Sequence, residues 1–172
     1  EIHSGDWSSD VCSSDLYSGF FTRRGKGKGH METASNLLRL GTSSWSCRDW
    51  VGRLYEPGTD PKDFIAAYAR KLSTVEIDST FYAVPRKSTV EGWRDRTPGD
   101  FVFAAKAPQA ITHEKFLVGC DAEVAAFVDA MSILGSRLGP ILFQFPYYAR
   151  KSGVTKDEFL RRLGAFLPTL PE

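Results

Sequence analysis

The chain has 172 residues, 42% hydrophobic, 25% charged and 13% aromatic, and its 22 basic and 21 acidic residues leave a net charge of +1. That length suffices for one domain burying roughly two-thirds of its unfolded surface. The near-neutral balance argues against a polyanion binder driven by bulk charge, and with no run of about 18 apolar residues a membrane-spanning helix has no support.

Residues 1–30 differ in kind from the rest of the chain: Ser, Gly and Asp first, then Arg23, Arg24, Lys26 and Lys28. A secretory signal places basic residues ahead of an apolar stretch of about 7–15. Here the order is reversed and the stretch is missing. Asp6–Leu16 reads like the in-frame translation of a common sequencing-library adapter. The expectation is a disordered, non-native leader over 1–30 and a natural start at Met31. The rival reading is a basic arm at Arg23–Lys28 that touches nucleic acid. Cys12, Cys47 and Cys120 are widely spaced, odd in number and form no CxxC pair, so neither a disulfide framework nor a zinc knuckle is indicated, and a reducing cytoplasm is the default location.

From Met31 onward strand and helix signals alternate. Leu38–Ser43 reads as a first strand ending in small residues. Asp60 caps a helix with Pro61 at its first position, and Phe64, Ile65, Tyr68, Ala69 and Leu72 recur at helical spacing. Ser73–Ile77 is a second strand. Ser88 with Glu91 makes a capping box for a helix carrying Val90 and Trp93 inward and ending by Pro98. Phe101–Lys106 is a third strand, apolar enough to be buried on both sides. Asp121 caps a helix with Val124, Phe127, Val128 and Met131 on one face. Gly139–Phe145 is a fourth strand, and Thr155 starts a last helix with Phe159, Leu160, Leu163 and Phe166 apolar.

Strands joined by helical crossovers mean parallel βαβ units and an α/β fold. Four such units are half of an eightfold barrel, which needs about 250 residues. Residues 31–172 are therefore expected to be the N-terminal half of a TIM-barrel domain, truncated at its C-terminus.

In such folds ligands gather at the carboxyl ends of the strands. Those ends carry Thr42, Ser43, Ser44 and Trp45; then Glu76, Asp78, Phe81 and Tyr82; then Lys106 with Thr112 and His113; then Gln144 and Pro146. Glu76 lies between Val75 and Ile77, so it points to the opposite face. An unpaired buried carboxylate is costly, and Lys106 on the next strand is its expected partner, either as a structural ion pair or as an acid–base pair of mutually perturbed pKa. Glu76, Asp78 and His113 are three candidate metal ligands, and Asp78 is equally placed to cap a turn. Trp45, Trp50 and Tyr55 form an aromatic loop, read as a hydrophobic lid or as a stacking platform for a sugar or base. Arg86, Lys87, Arg94 and Arg96 read mostly as a solvated helix face. No glycine-rich phosphate loop follows a strand.

Four blocks carry a family resemblance. Gly41-Thr42-Ser43-Ser44-Trp45-Ser46 with Trp50 and Gly52, then Val75–Tyr82, then Phe101–Pro108 with Ile111-Thr112-His113, then Leu138–Pro146, resemble in order the blocks of the YecE-like family, the domain of unknown function DUF72. The resemblance implies a TIM barrel whose further polar motifs lie beyond Glu172. This chain departs from the family pattern at Ser44, Cys47, Asp78 (where Asn is usual) and Tyr147. The family supplies no established reaction, and cofactor and metal stay open.

The expected function is an enzyme acting on a phosphorylated or sugar-like small molecule, with Glu76 as acid/base, Lys106 as electrostatic stabiliser and His113 as second proton carrier. Ser43, Trp45, Asp78, Tyr82 and Gln144 are the expected ligand contacts. The alternatives are a nucleotide or nucleic-acid binding module, and an inactive fragment that leaves strand edges unpaired and oligomerises.

Overall fold

The structure, a computed structural model, describes residues 38–146 and 153–171. The leader expected over 1–30 lies outside the described residues. Three parallel strands form one sheet in sequence order: β1 (Thr74–Ile77), β2 (Val102–Lys106) and β3 (Leu138–Leu142). In the β1–β2 register Val75 faces Phe103, Glu76 faces Ala104 and Ile77 faces Ala105. The β2–β3 register slips between Phe103 and Ala105. That irregularity sits at Gly139, where a Cβ would lie 2.4 Å from a Val102 methyl, so the absent side chain is what permits the approach.

The first expected strand, Leu38–Ser43, is not a strand among the described residues. The segment still runs beside β1: the Glu76 N–H donates to the Thr42 carbonyl at 2.9 Å. A parallel ladder would also join the Thr42 N–H to the Thr74 carbonyl. Here the Tyr68 hydroxyl stands between them, accepting from Thr42 N–H at 2.8 Å and donating to the Thr74 carbonyl at 3.0 Å. A side chain has replaced a ladder bond. Gly41 lies so close that a Cβ would sit 2.1 Å from the Thr74 carbonyl oxygen.

The crossovers are helical. Asp60 accepts from the Lys62 N–H at 3.0 Å and caps a 3₁₀ turn, Pro61–Asp63, that leads into α1 (Phe64–Ala69). Phe64, Ile65, Ala67 and Tyr68 of α1 are buried, with Ala69 and Leu72 packed against them. α2 spans Lys87–Asp95, with Val90 buried. It begins ahead of the expected cap: the Thr89 and Val90 N–H groups bond to the Arg86 carbonyl, which draws Ser88 inside the first turn. α3 spans Asp121–Met131, and the Val124 N–H bonds to the Cys120 carbonyl. Asp121 is thus its first residue rather than its cap. α4 (Lys156–Phe166) starts as expected, Thr155 accepting from the Glu158 N–H at 3.2 Å. No helix among the described residues is long and apolar enough to cross a membrane. Cys120 is a free, buried thiol.

Burial divides into two clusters. The larger joins Val75, Ile77, Phe103 and Ala105 to Phe64, Tyr68, Phe101, Phe127 and Met131; it fills the space between the sheet and α1–α3. The smaller gathers Ile111, Leu117, Val124 and Phe166 with Phe143, Phe145, Phe159 and Leu163. Leu160, expected on the apolar face of α4, is 52% exposed.

Candidate functional site

Alternation along β1 puts Val75 and Ile77 on the helix-covered face and Glu76 on the other. Glu76 is nonetheless buried, and Asp78 after it is half-buried. The register Ile77 to Ala105 places Lys106, the last residue of β2, beside Asp78 rather than beside Glu76. No carboxylate lies within 4 Å of the Lys106 ammonium among the described residues, so the expected Glu76–Lys106 contact pair does not form. The ammonium instead lies 4.7 Å from the centroid of the Phe81 ring, a cation–π contact. The same ring takes His113 edge-on at 4.9 Å. Phe81 is thereby the shared surface on which the two basic side chains rest.

Backbone geometry brings these groups together. After β1 the chain makes a 3₁₀ turn, Ser79–Phe81. The buried Thr80 hydroxyl reaches the Ile77 carbonyl at 2.7 Å and the Lys106 carbonyl at 2.6 Å, tying the ends of the two strands together. After β2 the chain forms a π-helical turn, Ala110–Glu114, that carries His113; such turns recur at functional sites. The Thr112 hydroxyl lies 2.8 Å from His113 Nδ1, which leaves Nε2 as the nitrogen available to a ligand. Phe116 and Leu117 directly after it have positive φ, 46° and 66°, an uncommon conformation for non-glycine residues.

The electrostatics of the cluster are mutual. Burial pushes the Glu76 carboxyl above its ordinary value, Lys106 pulls it back down and Asp78 raises it. Burial likewise raises Asp78, opposed by the Ser79 N–H, its own N–H and Lys106. Burial and then Lys106 hold His113 below its ordinary value. Two carboxyls are thus easier to protonate, and one imidazole easier to keep neutral, around a single ammonium.

The other expected contacts are distributed unevenly. Ser43 is exposed and lies next to Thr42, whose carbonyl accepts from Glu76 N–H. Tyr82 is exposed, its ring against Phe81 at 5.2 Å. Gln144 is exposed two residues past β3. Trp45 is drawn to the helix-covered face, where it meets Trp93 at 5.4 Å and Phe103 at 6.4 Å. Trp50 stacks on Tyr68, and Tyr55 on Phe64, so the aromatic loop turns inward and its rings extend the core.

Glu76, Asp78 and His113 do not converge as a metal triad; no group of three His, Cys, Asp or Glu placed to hold a metal occurs among the described residues. Of the basic helix residues, Lys87 pairs with Asp129 at 2.8 Å, Arg94 with Asp95 at 2.8 Å, and Arg96 donates to the Lys62 carbonyl. Phe81 stood in the strand-end reading without a role, and Thr80 is the organising residue that reading did not single out. Its position in the turn right after the acidic strand was the available signal.

The family model described as "Protein of unknown function DUF72" matches residues 39–172. The UPF0759 protein YecE of Escherichia coli K12 is 36% identical over 110 residues, covering 64% of this chain and 38% of that protein. The UPF0759 protein YunF of Bacillus subtilis is 30% identical over 117 residues, covering 64% of this chain and 40% of that protein. The chain thus spans about two-fifths of the length of these relatives. A crystal structure of a DUF72 family protein from Thermotoga maritima superposes with a TM-score of 0.63 at 26% identity, covering 77% of this chain and 52% of the other. One from Enterococcus faecalis gives 0.55 at 27% identity, covering 77% and 48%.

Proposed function

The chain belongs to the DUF72 family, and from that premise we propose that residues 31–172 are the N-terminal half of a parallel (β/α) barrel whose strand-end cluster performs acid/base chemistry on a phosphorylated or sugar-like small molecule. The barrel reading is supported by consecutive parallel strands with helical crossovers and by coverage of about half of the solved relatives.

One observation carries the chemistry: burial displaces Glu76, Asp78 and His113 from their ordinary titration, and the same Lys106 acts on each, opposing the rise at the two carboxyls and adding to the fall at His113. Perturbed groups gathered at one strand end are what proton transfer near neutrality requires. Glu76 is the acid/base, its raised pKa retaining a proton to higher pH. Lys106, with no carboxylate within ion-pair distance among the described residues, is the cation that meets an anionic ligand or a developing negative charge. His113, neutral and with Nε2 available, is the second proton carrier. Asp78, Ser43, Tyr82 and Gln144 complete the ligand contacts. Trp45 remains with the core.

The test is binding of simple sugars and sugar phosphates to the purified chain, to Glu76→Gln and to Lys106→Met. The expected result is binding at least about tenfold weaker in both variants, equivalent to about 1.4 kcal/mol. Binding and turnover unchanged in both would remove the assignment.

A further inference from the structure

A recess that shares Phe81 and Tyr82 with the acid/base cluster lies between the segment after β1, the turn after β2, and α3. Its volume is about 320 Å³, within the range of small-molecule sites. Phe81, Tyr82, Val84 and Pro108 supply apolar walls, and Ala126 of α3 forms part of the floor. Its charged lining residues are Glu114 and Glu123, and no lining residue is basic. None of Glu76, Lys106 or His113 lines it.

We propose that this groove is a second binding site, and that it takes a small organic cation: an ammonium or guanidinium carried on an apolar or aromatic body. Glu123 provides the polar end. Its Oε1 accepts from Lys115 Nζ at 2.7 Å, and its Oε2 is buried with no hydrogen-bond partner, the one such side-chain atom among the described residues. An unpartnered carboxylate oxygen calls for a donor. Lys115 shows that this carboxylate already receives an ammonium on its other oxygen, and Lys115 itself is also held by the Gly119 carbonyl at 2.9 Å. A cationic ligand in the groove adds a second positive charge beside this carboxylate. The apolar end is equally available: Tyr82 is 71% exposed at the rim and Val84 is also open to solvent. An aromatic face beside a carboxylate favours a cation on electrostatic grounds. An anion would meet two carboxylates and no lining base; a neutral apolar molecule would gain nothing from either carboxylate.

The test is titration of the ¹⁵N-labelled chain with benzylamine and with neutral benzyl alcohol, monitored by amide shifts. Benzylamine is expected to give saturable shifts at Ala110, Glu114 and Ala126, with benzyl alcohol at least tenfold weaker. Glu123→Gln, which keeps shape and removes charge, and Ala126→Leu, which keeps charge and fills the floor, are each expected to weaken benzylamine at least tenfold. Equal affinity for the two probes, wild-type affinity in both variants, or no saturable shift at all would overturn the proposal.

Discussion

The two faces of β1 and β2 are buried alike and built of opposite materials. On the helix-covered face Val75, Ile77, Phe103 and Ala105 are at most 1% exposed and meet only apolar groups and rings. On the other face Glu76 is nearly as buried, at 6%, yet has no ion-pair partner among the described residues. Burial on the first face stabilises the fold through transfer and packing. Burial on the second disfavours the charged carboxylate, as the raised Glu76 pKa records. One face holds the sheet together; the other carries a buried carboxyl whose charged form burial disfavours.

Substitutions that act on one face at a time separate these roles. The largest effect is expected from Phe103→Ala, which empties a wholly buried site between Trp45 and Phe101. It should lower unfolding stability by about 3–5 kcal/mol, read from urea denaturation; a loss under about 1 kcal/mol would deny that this face is the stabilising one. Gly41→Ala should come next at about 1–3 kcal/mol, because the new Cβ collides with the Thr74 carbonyl. Faster hydrogen exchange at the Glu76 amide is the accompanying sign.

Thr80→Val removes the hydroxyl that joins the strand ends and should cost about 1–2 kcal/mol, with altered shifts at Lys106 and His113. Phe103→Ala should leave those two signals nearer their original positions, which is the contrast between the faces.

The smallest effect is the most diagnostic. A carboxyl whose pKa is raised on folding contributes stability below its unfolded pKa, and this is lost as pH rises through the folded value. Wild-type protein should therefore lose stability above the ordinary Glu value of 4.5, and Glu76→Gln should lose less over that interval. His113 runs the other way. Its lowered pKa makes its contribution present above 6.5 and lost as pH falls through the folded value. A melting-temperature difference between Glu76→Gln and wild type that does not grow from pH 4 to pH 7 would break the assignment of Glu76.

Much of this was legible in the residues because it depends on local chemistry. The Thr155 cap, the Asp60-Pro61 start and the inward Phe64, Ile65 and Tyr68 arise from side chains a few positions apart. Glu76 was placed on the face opposite Val75 by period two alone. What failed depends on distant partners. Leu38–Ser43 has a strand's composition, but Tyr68 intercepts its ladder bond. Glu76 and Lys106 look like neighbours along the sequence pattern, but the register sets Lys106 level with Asp78 and leaves Phe81 to receive its ammonium. Trp45 comes after a strand-end segment, yet Trp93 and Phe103 offer it a better-packed site on the other side.

The central claim is that burial and one ammonium together set the titration of the groups around that ammonium. The most direct measurement is an NMR titration of the His113 ring protons in wild type and in Lys106→Met. Burial is the larger cause of the lowered His113 pKa and Lys106 the second, so the variant should titrate at a higher pH than wild type, part of the way back toward 6.5. Identical titration curves in the two proteins would contradict that claim.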